Sequence, residues 1–167
     1  SSAASDVYKR QVQEVDLVAI RETLQLRHTP LLAPWGTGRQ GHLWILEARE
    51  LATELAIRLR AKKLILLENI PSPLIEKDRN TSILRQWLRQ QSSISEINRL
   101  RLECMATACE RGVTRCHWLD ATEEGALLTE TLTSGGIGLM VTNTAYQQVR
   151  AAKPSDIPQV WGLLSEP

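Results

Sequence analysis

The stretch "LEARELATELAIRLRAKKLILLENI", residues 46–70, constrains the fold more than any other part of the sequence. Its first part places Leu and Ala side chains on one stripe of a helix, with Glu and Arg opposite. The helix runs directly into a continuous apolar run between Lys63 and Glu68, which is typical of a strand covered on both faces. A helix followed by a buried strand is half of a βαβ crossover, so the sequence predicts an α/β sheet flanked by helices.

The other predicted elements agree with this class. Their order along the chain is helix, strand, helix, strand, helix, helix, strand, helix, which favours a doubly wound α/β sheet over a helical bundle or a sandwich. Besides residues 46–70, the predicted elements are a surface helix at 12–26, a buried strand within "TPLLAPWG" (29–36), helices at 81–89 and 95–110, a strand within "VTRCHWLD" (113–120) and a helix within "EEGALLTETL" (123–132).

The longest predicted helix, at 95–110, has recognisable ends. Ser95 is expected to be its N-cap, and Gly112 has the position of the C′ residue that closes it. The side chains expected to face inward are those of Ile97, Leu100, Cys104 and Ala108.

Composition excludes several function classes. Twenty Lys plus Arg against nineteen Asp plus Glu give a formal charge of +1, so no global field attracts nucleic acid or a membrane surface. No apolar run approaches the roughly 20 residues of a membrane-spanning helix, and the first residues lack the order of a secretory signal. We therefore expect a cytoplasmic protein that binds neither nucleic acid nor membrane.

The three cysteines, Cys104, Cys109 and Cys116, are an odd number, and none belongs to a CxxC pair. A disulfide framework or a structural zinc site is therefore not expected, and no metal site is predicted. We expect the thiols to be buried and reduced.

The two ends of the chain differ in character from the rest. "SSAASDVYKRQ", residues 1–11, shows no helical or strand period and is interpreted as a non-native or unstructured leader. Residues 12–145 form the main domain in this prediction. Residues 146–167 pass through Pro154 and open a helix with Ser155 as N-cap, as the first strand and helix of a second domain would.

The segment "GVTRCHWLDATEEGALLTETLTSGGIG", residues 112–138, contains the candidate site. Ligands of open α/β sheets collect beyond the carboxyl ends of the strands, where the predicted strand and the helix after it meet. Glu130 comes 13 residues after His117, so that helix must fold back for both side chains to face one ligand. With a glycine-rich turn that exposes backbone groups, they would suit a free basic amino acid.

The alternative from the residues alone is a purely structural segment. In that interpretation His117 is a hydrogen-bonded core residue, Glu130 is a solvated helix residue and the glycines form an ordinary turn.

Three segments of the chain resemble one known family, in the same order. "ELATELAIRLRAKKLILLENI" is similar to a helix and strand of the amino-acid kinase fold. "GVTRCHWLDATEEGALLTETLTSGGIGLMV" resembles a segment shared by N-acetylglutamate synthases and arginine-sensitive N-acetylglutamate kinases. "YQQVRAAKPSDIPQVWGLL" resembles the opening of the acetyltransferase domain that follows this segment in the bacterial synthases.

This resemblance implies the C-terminal half of an amino-acid kinase-like doubly wound sheet, plus the first strand and helix of a GNAT acetyltransferase domain. It also implies a regulatory region of an enzyme that acetylates L-glutamate from acetyl-CoA in arginine biosynthesis, with L-arginine as feedback inhibitor and a hexamer as the assembly. The arginine-binding residues that it implies are His117, Glu130, Gly136, Ile137 and Gly138. Thr129 and Ser134 rank lower. Acetyl-CoA and glutamate would bind to the acetyltransferase domain, so the chain itself is expected to hold no cofactor and no catalytic residue.

Departures from the family pattern bear on the activity. Ala121 stands where the family has glycine after the His-containing strand. Arg101 and Ile45 align with a lysine and an asparagine that active kinases of this fold use, and a lysine and an arginine are not interchangeable at a phosphoryl group. Kinase chemistry is therefore not expected. The alternatives are an arginine-sensitive N-acetylglutamate kinase and a non-catalytic amino-acid-sensing module.

Overall fold

The computed structural model describes residues 12, 15–38, 40–70, 78–132 and 138–143. The expected leader at 1–11 and the expected start of a second domain at 146–167 lie outside the described residues. No helix in the described ranges is long and apolar enough to cross a membrane.

The described residues alternate between helices and short strands. The helices are α1 (Leu17–Gln25), α2 (Ala48–Arg58), α3 (Thr81–Gln90), α4 (Glu96–Glu110) and α5 (Ala126–Leu132). The strands are β1 (Trp35–Thr37), β2 (Leu43–Ile45), β3 (Lys63–Leu67), β4 (Asp78–Asn80), β5 (Arg115–Leu119) and β6 (Leu139–Thr142).

Side chains at the helix ends explain where the main helices begin. Ser95 Oγ accepts the Asn98 backbone N–H at 3.4 Å, as expected of the N-cap of α4. Asn80 caps α3 in the same way, with its Oδ1 2.8 Å from the Ser82 backbone nitrogen. Gly112 follows α4 with φ near +107°, a conformation that glycine adopts at little cost, and it turns the chain toward β5.

The four-stranded sheet has the order β3-β5-β6-β4 and mixed strand directions. β3 is parallel to β5, β6 is antiparallel to β5, and β4 is parallel to β6. β5 therefore lies inside the sheet, with hydrogen-bonded neighbours on both sides. β1 and β2 form a separate antiparallel hairpin.

Helices lie on both faces of this sheet, as the predicted doubly wound class requires. On one face, Cys116 and Trp118 of β5 join Leu64, Leu66 and Val141 in a core that α2, α3 and α4 complete. On the other face lie Lys63 and His117, which contact Glu130 of α5. Alternation along the strands separates the two faces, because successive side chains point to opposite sides.

The largest error of the prediction concerns "TPLLAPWG". Leu31 is 99% exposed, and the extended residues of this region, β1, belong to the exposed hairpin and not to a buried strand. Pro30 and Pro34 flank the short apolar run, and proline cannot donate to a sheet ladder.

Smaller differences concern boundaries and helix faces. The first helix begins at Leu17 and not at residue 12. In α4, Ile97 is 48% exposed, and Leu100 and Cys104 are half-buried, whereas Ala108 is buried as predicted. The residues of α4 that are buried are Asn98, Leu102, Met105, Ala106, Ala108 and Cys109. β2, β4 and β6 were not predicted.

Candidate functional site

His117 lies in the middle of β5, with its side chain on the sheet face that α5 covers. Its backbone pairs with Ile65 of β3 and with Met140 of β6, so the strand holds it from both sides. The residue is 4% exposed. Because both neighbouring strands and α5 fix its surroundings, the imidazole has a defined orientation.

Glu130 reaches back from α5 to the same place. Its Oε1 is 2.9 Å from His117 Nδ1 and 2.8 Å from Lys63 Nζ, and the residue is 4% exposed. Lys63 Nζ also lies 3.4 Å from the backbone oxygen of Glu130. The helix therefore folds back over the sheet, as the spacing of His117 and Glu130 requires.

The turn between β5 and α5 makes this return possible. Asp120 Oδ1 accepts the Thr122 backbone N–H at 2.8 Å and the Thr122 hydroxyl at 2.7 Å. Gly125 then adopts φ near +76° immediately before α5. An aspartate-capped turn followed by a glycine reverses the chain within six residues.

Burial determines the charge state of this site. It lowers the pKa of His117, and the Lys63 and Arg115 cations lower it further, against the raising effect of Glu130. We therefore assign a neutral imidazole whose Nδ1–H donates to Glu130. His117 Nε2 is then a buried acceptor, and it has no hydrogen-bond partner among the described residues.

Of the predicted glycine turn, only Gly138 belongs to the described residues; Gly136, Ile137 and Ser134 lie outside them. Gly138 has φ near +93°, and a Cβ added to it would lie 2.3 Å from the Trp118 carbonyl oxygen. A side chain is therefore excluded at the point where the chain enters β6 beside β5.

Lys63, Trp118 and Thr129 lie in or near the predicted arginine site. Lys63 was not predicted as a site residue, although it contacts Glu130 directly. Trp118, the residue after His117, is fully buried on the opposite face and donates from Nε1 to the Glu68 carbonyl at 3.1 Å. Thr129 is half-buried on α5.

The surroundings of Arg101 and Ile45 bear on the kinase alternative. The Arg101 guanidinium lies 2.7 Å from Glu68 Oε2 and 2.6 Å from Asn98 Oδ1, and stacks over the Trp118 ring at 5.1 Å. Ile45 is exposed on the hairpin. In the described ranges no three His, Cys, Asp or Glu side chains are grouped so that they could hold a metal ion.

Comparisons with known proteins show what the chain is similar to. The profile of the amino acid kinase family matches residues 1–82. The amino-acid acetyltransferase of Pseudomonas putida (strain GB-1) is 35% identical over 162 residues, a match that covers 93% of this chain and 37% of the relative. The amino-acid acetyltransferase of Azotobacter vinelandii is 34% identical over 154 residues, covering 88% of this chain and 35% of the relative. The chain thus spans little more than a third of the length of these relatives.

A solved structure agrees with the sequence matches. The crystal structure of N-acetylglutamate synthase from Neisseria gonorrhoeae complexed with coenzyme A and L-arginine superimposes with a TM-score of 0.73 at 25% identity. The match covers 91% of this chain and 36% of that protein. From these matches and its mixed α/β architecture, the chain is identified as an N-acetylglutamate synthase-like protein with the amino-acid kinase fold.

Proposed function

We propose that the protein to which this chain belongs is an N-acetylglutamate synthase, and that this region holds its L-arginine feedback site. The synthase reaction transfers the acetyl group of acetyl-CoA to the amino group of L-glutamate and releases the CoA thiol. Relatives named amino-acid acetyltransferase and a similar synthase crystallised with coenzyme A and L-arginine support this proposal. No residue described here is assigned to the acetyl transfer itself.

The observation that carries the arginine site is the pairing of a buried carboxylate with a buried acceptor that lacks a donor. Glu130 supplies the negative charge, and His117 Nε2 supplies a second acceptor on the same face of the sheet. A guanidinium has five N–H donors in one plane, so it is able to bond to both groups. Gly138, with Gly136 and Ile137 before it, would leave backbone groups accessible to the α-carboxylate and α-ammonium of the ligand.

Lys63 is part of this proposal because it holds the same carboxylate oxygen. Its ammonium neutralises Glu130 while no cationic ligand is present. A guanidinium that approaches Glu130 competes with this ammonium, and two cations beside one carboxylate repel each other. The Lys63 side chain is 30% exposed, so it can turn toward water or toward the carboxylate of the ligand.

Arginine would regulate the enzyme by stabilising one arrangement of the kinase-like domain relative to the acetyltransferase domain. It can do so only if it binds the two arrangements with different affinity. Glutamate and acetyl-CoA would bind outside the described residues. A cytoplasmic homo-oligomer, hexameric as the family resemblance implies, is part of the same proposal.

The activity test uses the full-length protein. We expect acetyl-CoA-dependent acetylation of L-glutamate that decreases when L-arginine is added. Phosphorylation of N-acetylglutamate by ATP without acetyl transfer would replace this proposal with the kinase alternative. The hydrogen bonds of Arg101 to Glu68 and Asn98 argue against that alternative. Arginine binding without either activity would leave the amino-acid-sensing module.

The site test is calorimetric titration of the full-length protein with L-arginine. Glu130→Gln removes the charge at nearly constant shape and is expected to weaken binding about tenfold to a hundredfold, which is the contribution of one charge-assisted hydrogen bond. Glu124→Gln, at an exposed position of the preceding turn, is the matched control and should leave binding unchanged. L-Citrulline has an uncharged side chain. Its affinity for wild type should be no higher than the affinity of L-arginine for Glu130→Gln. Unchanged arginine affinity in Glu130→Gln, with the thermal unfolding temperature preserved, would show that the site is elsewhere.

A further inference from the structure

Two of the three cysteines contact each other in the core. Cys109 Sγ of α4 lies 3.4 Å from Cys116 Sγ of β5, and also 3.2 Å from the Val141 carbonyl oxygen. These cysteines are 1% and 0% exposed. Cys104, the third cysteine, is half-buried and lies five residues earlier on α4.

We propose that Cys109 and Cys116 are a redox-sensitive dithiol, which a peroxide closes to an intramolecular disulfide that links α4 to the central strand of the sheet. This proposal does not depend on the activity proposed above. It rests on the contact of the two sulfur atoms and on their place at the junction of a helix and an internal strand.

The geometry favours closure over oxidation of either thiol alone. A disulfide has an S–S distance of about 2.05 Å, so the two sulfur atoms must approach each other by about 1.4 Å from their separation of 3.4 Å. No other side chain has to leave the path, because the sulfur atoms are already in contact. In this proposal the two side chains rotate and β5 moves toward α4 to close the remaining distance.

The two thiols are not equivalent, and this assigns their roles. They share one hydrogen bond, which lowers the pKa of Cys109 and, together with burial, raises the pKa of Cys116. Cys109 is therefore the group that reaches the thiolate state more readily, and the thiolate is the nucleophile in thiol oxidation.

The reaction balances with hydrogen peroxide as oxidant. Cys109 sulfur attacks one peroxide oxygen, the O–O bond breaks, and a sulfenic acid and one water form. Cys116 sulfur then attacks the Cys109 sulfur, the S–S bond forms, and the sulfenic oxygen leaves as a second water with the Cys116 proton. Two thiols and one peroxide give one disulfide and two waters, and the peroxide takes up the two electrons.

Closure acts on the strand that carries His117, because Cys116 is the preceding residue. Movement of β5 toward α4 takes it away from α5, so the hydrogen bond between His117 and Glu130 should lengthen. An NMR resonance of the His117 ring should therefore shift on oxidation.

The experiment exposes the reduced protein to hydrogen peroxide, denatures it in the presence of a thiol-blocking maleimide and measures the intact mass. The number of blocked thiols should fall from three to one, with a loss of about 2 Da from the protein itself. Trypsin separates Cys116 from Cys109 at Arg111 and Arg115 but leaves Cys104 in the Cys109 peptide, so the linkage is mapped in Cys104→Ala.

Three variants decide the outcome. Cys104→Ala should form the disulfide as wild type does, whereas Cys109→Ala and Cys116→Ala should not form it. On oxidation, the His117 resonance should shift in Cys104→Ala but not in the other two variants. The proposal would be overturned if peroxide added oxygen only to Cys104 in wild type and left both thiols of the Cys104→Ala protein free. A disulfide that forms no faster than the protein unfolds globally would also overturn it, since the native contact would then play no part.

Discussion

The His117 imidazole loses almost all contact with water because its strand lies between two others and α5 covers its face. A carboxylate neighbour alone would favour the protonated ring. Here burial outweighs that attraction, and Lys63 and Arg115 act in the same direction as burial. The ring is therefore held neutral, and its second nitrogen becomes an acceptor inside the protein.

The lowered pKa of His117 predicts how stability depends on pH. The folded protein has the lower pKa, so the unfolded chain takes up the His117 proton first, near the ordinary value of about 6.5. The free energy of unfolding should therefore decrease as the pH falls below about 6.5, until the folded ring is protonated too. Urea unfolding at a series of pH values measures this decrease.

Replacement of individual histidines by Asn provides the control for this pH effect. His117→Asn keeps a donor for Glu130 but removes the titrating ring, so it should lose this part of the pH dependence. His28 and His42 are exposed, and their replacement by Asn should leave it in place. An identical pH profile in wild type and His117→Asn would contradict the assignment of a neutral buried ring.

Lys63 gives a second prediction about the His117 ring. Its cation disfavours the imidazolium form, so Lys63→Met should raise the pKa of His117 toward its ordinary value. NMR titration of the His117 ring measures this shift directly. Lys62→Met, at the exposed neighbouring position, should change the pKa little, and an unchanged pKa in Lys63→Met would mean that the ion pair with Glu130 does not form in solution.

The sequence predicted the helices and strands whose pattern is long enough to be unambiguous. α2, α4, β3 and β5 lie where periodicity and caps such as Ser95 place them. β1, β2, β4 and β6 are three or four residues long, which is too short for a period to show. β4 also follows a stretch that begins with Pro71 and Pro73, a pattern that predicts a loop.

The candidate site was predictable only in part for a related reason. His117 and Glu130 belong to one segment, so their approach required only that the helix after the strand fold back. Lys63 enters through the parallel register of β3 and β5, which pairs Lys63 with Arg115 and Ile65 with His117. Register depends on which side chains the whole sheet buries, so a single strand does not specify it.

The entry into β6 gives a prediction about the pairing of β5 and β6. Gly138→Ala adds a Cβ at positive φ and against the Trp118 carbonyl oxygen, so β6 must shift away from β5. We expect a loss of at least about 2 kcal/mol of unfolding free energy, from the left-handed conformation and the clash together.

Gly125→Ala separates the two causes. Gly125 also has positive φ, but a Cβ there would meet nothing within 4 Å, so only the conformational cost of about 1 kcal/mol should appear. Equal losses in both variants, measured by urea unfolding, would mean that β6 accommodates the Cβ without strain.

Among the described residues, burial is concentrated in the four-stranded sheet and the helices α2, α3 and α4. β5 contributes four buried residues of five, and all four residues of β6 are buried. β1 and β2 contain no buried residue, and α1 contributes only Ile20. Local unfolding costs least where few buried apolar side chains become exposed to water. The sheet with its helices and the hairpin with α1 should therefore differ in their protection from amide hydrogen exchange.

Amide hydrogen exchange followed by mass spectrometry tests this distribution of stability. Peptides that contain β5 should exchange slowest, because its backbone is hydrogen-bonded to β3 and β6 and its opening exposes Trp118 and the core around it. Peptides from β1 and β2 should exchange faster by at least about a hundredfold, since their opening exposes almost no buried apolar surface. α4 serves as the internal reference, because it packs on β5 and should share its protection. Equal exchange rates in the hairpin and in β5 would mean that the hairpin is covered in solution and unfolds with the sheet as one cooperative unit.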